Sequence, residues 1–155
     1  MEQFSGYAGY QIASQATPLK KRDTMYRFSA SSKRHLASCD ERLQLVFNKV
    51  IQHYDCTIIC GHRGKAAQTL AFEGGKSQVQ WPNSKHNSLP SRAVDVMPFP
   101  LDWFDYQRAA HFAGYVLGIA EGMGIKLRWG GDWDRDGEMT DHQFIDYPHF
   151  ELMDD

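Results

Sequence analysis

His86, Asp95 and His149 are side chains of the kinds that bind a divalent metal, and Asp146 stands three residues before the last of them. They fall in two segments, Ser84-Lys-His86-Asn-Ser-Leu-Pro-Ser-Arg-Ala93-Val-Asp95-Val and Asp146-Tyr-Pro-His149-Phe-Glu151. A third segment, Gly61-His62-Arg63, adds a cation. Zinc with an open coordination position takes about three nitrogen or oxygen ligands from a protein. One His and one Asp on adjoining loop and strand, plus a His from a distant strand, meet that need. A carboxylate at Asp146 can stand beside the open position, take a proton from water activated there and pass it to a leaving amine. Each part also has a plainer account. A His ahead of a strand is more often a hydrogen-bonded surface residue. Asp95 is harder to dismiss, because it lies between Val94 and Val96 and a buried carboxylate needs a partner or a metal.

Ordered elements must carry these groups. From Ser32, apolar residues Leu36, Leu43, Val46, Phe47, Val50, Ile51 and Tyr54 recur at steps of three and four. That spacing predicts one amphipathic helix ending near His53. Cys56-Thr-Ile-Ile-Cys60 is short, apolar and β-branched, and Gly61 ends it, so it reads as a buried strand. Residues 64–73 suit a helix stopped by Gly74-Gly75. Residues 74–92 lack periodicity, and a loop of this length in a compact domain is usually functional. Ala93 to Met97 reads as a strand closed by Pro98 and Pro100. Asp105 can cap a second helix ending near Gly122 or Gly124. Lys126 to Trp129 and Tyr147 to Leu152 read as further strands. Helices and strands mix without regular alternation, so an α+β fold is expected.

The 155 residues suit one domain that buries a core without disulfides. The first 27 or so residues read as an irregular arm, with one folded domain over 28–155 that carries the candidate site. A net charge of -2 offers no electrostatic case for nucleic acid, and the run Lys20, Lys21, Arg22 reads as a solvated face. Cys39, Cys56 and Cys60 form no Cys-x-x-Cys pair. Cys56 and Cys60 are four apart on a strand, which puts them on one face as small buried thiols in a reducing compartment. No basic region followed by an apolar run opens the chain, so no secretory signal is expected. No apolar stretch is long enough for a transmembrane helix, so no membrane insertion is expected.

The order Ser-x-His, Ala-x-Asp-Val and Pro-His-Phe-Glu-Leu resembles the zinc peptidase superfamily of D-Ala-D-Ala carboxypeptidases and L-alanyl-D-glutamate endopeptidases. The resemblance covers roughly residues 28 to 152, and Trp129-Gly-Gly-Asp-Trp133 is similar to the bacteriophage endolysin branch. It implies the hedgehog/D-Ala-D-Ala peptidase fold, a small antiparallel sheet with helices packed against it. It implies one zinc per chain on His86, Asp95 and His149, with Asp146 as the catalytic acid. Arg63 would stabilise the oxyanion or bind substrate carbonyls, and Ser84 would orient the ligand loop or hydrogen-bond substrate. The implied substrate is the stem peptide of peptidoglycan, cut at L-Ala–D-Glu by a monomer. Such an enzyme is made in the host cytoplasm and acts after holin-type release or from a phage particle. A carboxypeptidase, or a zinc-containing module that only binds peptide, would carry the same motifs.

Two departures stand out. The spacing from His86 to Asp95 exceeds the common family spacing, as if residues 87–92 held a small insertion stiffened by Pro90. His62 stands where an aromatic is frequent, and reads as a turn residue. Separately, Asp132-Trp-Asp134-Arg-Asp136-Gly137 matches the opening of a calcium loop, but its twelfth position is Gln143 in place of Glu. A calcium ion on Asp132, Asp134 and Asp136 is compatible with that run, as is an acidic rim without one. Trp81, Trp103 and Trp133 are candidates to line a substrate groove.

Overall fold

The computed structural model describes residues 25–154. Most of the expected arm, with Lys20, Lys21 and Arg22, lies outside the described residues. The elements run α1 (Ala30–Ala37), α2 (Glu41–Val50), β1 (Cys56–Cys60), α3 (Lys65–Glu73), β2 (Ala93–Pro98), α4 (Tyr106–Gly122), β3 (Leu127–Gly130) and β4 (Asp146–Leu152), with a short 3-10 turn at Lys85–Asn87. The strands form one antiparallel sheet in the order β1-β2-β4-β3. The fold is the mixed α+β type that the sequence predicts.

The single long helix expected over residues 32–53 does not form. The apolar period across residues 32–53 is shared by two helices, and the break falls at Ser38-Cys39-Asp40. Asp40 caps α2 by accepting from the Arg42 amide at 3.0 Å. Cys39 forms an isolated parallel bridge with Ser91, and the Asp40 amide donates to the Ser91 carbonyl at 2.8 Å. The chain leaves the helix there to tie down the segment ahead of β2, and a helical period carries no trace of that distant partner.

The two faces of the sheet differ. Val94 and Val96 of β2, Phe150 and Leu152 of β4, and Leu127 and Trp129 of β3 belong to the core that includes Phe47 of α2 and Phe112 of α4. The residues between them, Asp95, His149, Glu151 and Arg128, project from the opposite face, since side chains alternate along a strand. Cross-strand pairing sets Asp95 beside His149 and Arg128 beside Glu151. α3 and the 3-10 turn lie in the chain between β1 and β2, and that connection supplies His86 and Arg63 to this second face.

A bulge corrects the reading of the cysteines. Ile58 pairs with Val96 while Cys60 pairs with Asp95, so the register shifts between them. An extra residue in one strand reverses the alternation beyond it. Cys56 therefore stays in the core, whereas Cys60 is half-buried on the face that carries Asp95. All three cysteines are free thiols.

Candidate metal centre and catalytic cleft

Three ligand atoms converge above the middle of the sheet. His86 Nε2 lies 3.2 Å from both Asp95 Oδ1 and His149 Nδ1, and His149 Nδ1 lies 3.3 Å from Asp95 Oδ1. For a tetrahedral cation bound at roughly 2.0–2.1 Å, ligand atoms sit about 3.3–3.4 Å apart, so this triangle has the size of one tetrahedral face.

The remaining ring nitrogens are already committed. His86 Nδ1 donates to the Gly61 carbonyl at 2.7 Å, and His149 Nε2 donates to Glu151 Oε2 at 2.9 Å. In its neutral form each imidazole then turns a lone pair toward Asp95 Oδ1. Three acceptors face one another in a buried place, which a cation resolves. The same place favours positive charge, and without a metal a proton takes that role. Burial opposes a charge on His86, yet the Asp95 carboxylate outweighs it and pushes the His86 pKa up to about 10. Burial opposes a charge on His149 too, but Asp95 and Glu151 raise it. Burial also opposes charge on Asp95, and the two histidines hold its carboxyl well below the usual carboxylate range.

The local sequence explains how His86 arrives. Ser84 caps the 3-10 turn, its oxygen accepting from the His86 amide at 3.3 Å, while Asn87 Oδ1 accepts from the Ser84 amide at 3.0 Å. The extra residues after it fold back. The Arg92 amide donates to the Lys85 carbonyl and to Ser88 Oγ, both at 3.0 Å. The longer spacing is thus taken up as a closed return loop, and His86 still meets Asp95.

Arg63 Nη2 donates to Asp95 Oδ2 at 3.1 Å, which leaves Oδ1 for a metal. Asp146 borders the same space: a carboxylate oxygen of Asp146 lies within 4.8 Å of ligand atoms of Asp95 and His149, outside the tight triangle. Its orientation comes from an irregularity in the β3–β4 ladder. Trp129 pairs with Phe150 but Gly130 pairs with Asp146, and Pro148, which has no amide hydrogen, falls in the gap. A β-carbon at Gly130 would overlap the Asp146 carbonyl, so only glycine allows this approach. Burial raises the Asp146 pKa, and the nearby Asp95 charge raises it further.

These groups open into a cleft lined by Arg63, Lys76, Ser84, Arg128, Trp133 and Asp146 among others. Trp133 packs on His149 with ring centroids 5.4 Å apart. Trp81 instead borders a separate depression beside α3, and Trp103 is exposed between β2 and α4. His62 is not among the lining residues; its amide donates to Ser38 Oγ at 2.9 Å.

A family model described as phage L-alanyl-D-glutamate peptidase matches residues 24–153. The chain belongs to the phage L-alanyl-D-glutamate peptidase family. The L-alanyl-D-glutamate peptidase of Escherichia phage T5 is 29% identical over 121 residues, covering 75% of this chain and 88% of that protein. The crystal structure of the Serratia marcescens L-Ala D-Glu endopeptidase ChiX superposes with a TM-score of 0.65 at 26% identity, covering 86% of this chain and 94% of that one. Membership makes the chain a peptidoglycan peptidase of the phage endolysin branch.

Several residues of this peptidase escaped the sequence. Glu151 orients His149, and Arg128 holds Glu151 in turn at 2.5 Å. Burial opposes its charge, but His149 and Arg128 bring the Glu151 pKa down to about 2. Its position two residues beyond His149 on one strand was a usable signal, since such residues share a face. Gln68 is fully buried in α3, where it accepts from Arg63 and Asn87 and donates to Ser77 Oγ and the Val79 carbonyl. A glutamine in a helical stretch carries no such signal. Cys60 also lies close, its sulfur within 4.8 Å of ligand atoms of His86 and Asp95.

The acidic loop is ordered by its own backbone. Asp132 accepts from the Arg135 amide at 2.8 Å and the Gly137 amide at 3.1 Å. Carboxylate oxygens of Asp134, Asp136 and Asp141 lie within 4.8 Å of one another, as do ligand atoms of Asp132, Asp134 and His142.

Proposed function

We propose that the chain is a zinc-dependent endopeptidase that hydrolyses the L-Ala–D-Glu bond of peptidoglycan stem peptides. The observation that carries this is the triangle of lone-pair donors on His86, Asp95 and His149, each oriented by a second partner and open to a cleft on one side. The donor set of two imidazoles and one carboxylate suits zinc. When bound there, zinc supplies Lewis acidity, polarising a carbonyl and lowering the pKa of water.

The chain's own residues do the rest. Asp146, whose raised pKa lets it hold a proton, accepts one from the attacking water and returns it to the departing amine nitrogen. Arg63, fixed by Asp95 and Gln68, meets the carbonyl oxygen as negative charge develops on it. Ser84, at the cleft edge, contacts the substrate backbone in addition to capping the His86 turn.

The protein acts as a monomer, without inserting in a membrane. Among the described residues no helix is long and apolar enough to cross one. Synthesis in the host cytoplasm followed by holin-type release fits the endolysin branch, and delivery by a phage particle is the alternative. A calcium ion at low affinity is proposed on Asp134 and Asp136, with Asp141 and not Asp132 completing the group. Calorimetric titration with calcium giving no heat would remove that assignment.

The deciding experiment combines zinc stoichiometry with product analysis. One zinc per chain, activity lost to a chelator and restored by zinc, and a new N-terminal D-Glu by mass spectrometry are expected. Release of D-Ala alone would make it a carboxypeptidase, and binding of peptide without any product would make it a recognition module.

A further inference from the structure

Four cations line the cleft: Arg63, Lys76, Lys85 and Arg128. Three are occupied. Arg63 is held by Asp95 at 3.1 Å, and Lys85 by Asp154 at 2.8 Å. All three guanidinium nitrogens of Arg128 are engaged, two on Glu151 and one on the Trp133 carbonyl, and its plane lies over the Trp133 ring. Lys76 has no acidic partner among the described residues.

The backbone that presents Lys76 is nevertheless fixed. Its amide donates to the Ala71 carbonyl at 2.8 Å, closing the end of α3. The next residue, Ser77, is held through its hydroxyl by the buried Gln68 at 2.9 Å, and Gln68 also reaches the Val79 carbonyl. The same Gln68 receives Arg63, so the wall bearing Lys76 is tied to the residue that orients Asp95. Lys76 is an uncompensated cation on an anchored wall of the site.

The substrate brings a matching charge. Glutamate has two carboxyl groups, and the stem peptide continues through only one of them. The residue that leaves with the amine therefore keeps a free carboxylate close to the scissile bond. A desolvating cleft with no cation for it would lose that carboxylate's hydration without return.

We propose that Lys76 binds the free carboxylate of the glutamate on the leaving side of the scissile bond, which makes the enzyme selective for stem peptides whose glutamate is not amidated. This rests on the L-Ala–D-Glu assignment above. Lys76 acts in recognition, so its contribution falls on KM and not on the turnover step.

Two synthetic stem peptides test it, identical except that one carries the free glutamate carboxylate and the other its carboxamide. The zinc-loaded enzyme is expected to prefer the carboxylate by about tenfold in kcat/KM, the size of one charge-assisted contact at a partly wet site. Lys76→Gln removes the preference by raising KM for the carboxylate alone, and Lys76→Arg restores most of it. Because Lys76 is exposed, neither variant threatens folding. A preference that survives in Lys76→Gln, or is absent from the natural enzyme, overturns the assignment while leaving the bond specificity intact. If the natural enzyme cuts neither peptide between L-Ala and D-Glu, the bond assignment fails and the role of Lys76 falls with it.

Discussion

At the residue scale, the centre is built as pairs of shells. Every atom that faces the proposed metal position belongs to a side chain whose other polar atom is held: His86 by the Gly61 carbonyl, His149 by Glu151, Asp95 by Arg63. Such outer partners typically change metal affinity by about 10–100-fold. Glu151→Gln is therefore expected to weaken zinc binding by about that factor, read by competition with a chromophoric chelator. An unchanged affinity would show that His149 needs no such partner. Asp146 stands apart, close to the ligands but outside their triangle. Asp146→Asn should keep zinc and lose about 10²–10⁴-fold in turnover, the usual range for general acid–base groups. Turnover within a few fold of the natural enzyme would rule out Asp146 as the proton carrier.

At the element scale, two short breaks in regular structure set the geometry. The cap at Asp40 starts α2 afresh after the chain has bridged to Ser91. Removing it in Asp40→Ala is expected to lower stability by about 1 kcal/mol, measured by urea denaturation. Gly61 follows β1 where a β-carbon would overlap the His35 carbonyl and the Ser38 hydroxyl. Gly61→Ala must push α1 and β1 apart, at about 1–3 kcal/mol for such overpacking. It also displaces the carbonyl that orients His86, so zinc affinity should fall together with stability. Loss of stability with full zinc affinity would separate the two roles.

At the scale of the whole molecule, the proposed metal position joins the two central strands to the long β1–β2 connection. A ligand that binds only the folded chain stabilises it by mass action. A chelator should accordingly lower Tm, and added zinc should restore it, in differential scanning calorimetry. The core sets a second dependence. Burial pushes the Cys39 and Cys56 thiols from the ordinary 9.0 up to about 12. An unfolded chain ionises these thiols first as pH rises. The stability they contribute is complete below pH 9.0 and is lost as pH climbs toward about 12. The urea midpoint should drop between pH 8 and pH 10.5 by less in Cys56→Val than in the natural protein.

Much of this was legible in one dimension. The strand around Asp95 showed itself as a carboxylate in an apolar run, α4 by its Asp105 cap and apolar period, and the converging set His86, Asp95 and His149 by residue type and by resemblance to a zinc peptidase superfamily. These are local properties, governed by alternation, periodicity and the chemistry of single side chains. Other features depend on partners far along the chain. The helix break at Ser38 answers to Ser91, the turning of Cys60 toward Asp95 to one bulge in β1, and the return loop after His86 to Lys85. The orientation of Asp146 depends on the gap opposite Pro148, and the isolation of Lys76 on which carboxylates the other three cations had already met. Residue types made a metal site one reading among others, and the motif resemblance pointed to a peptidase. Only the tertiary structure decided which lone pairs converge and which charge remains for a substrate, because convergence and neutralisation are properties of distance in space.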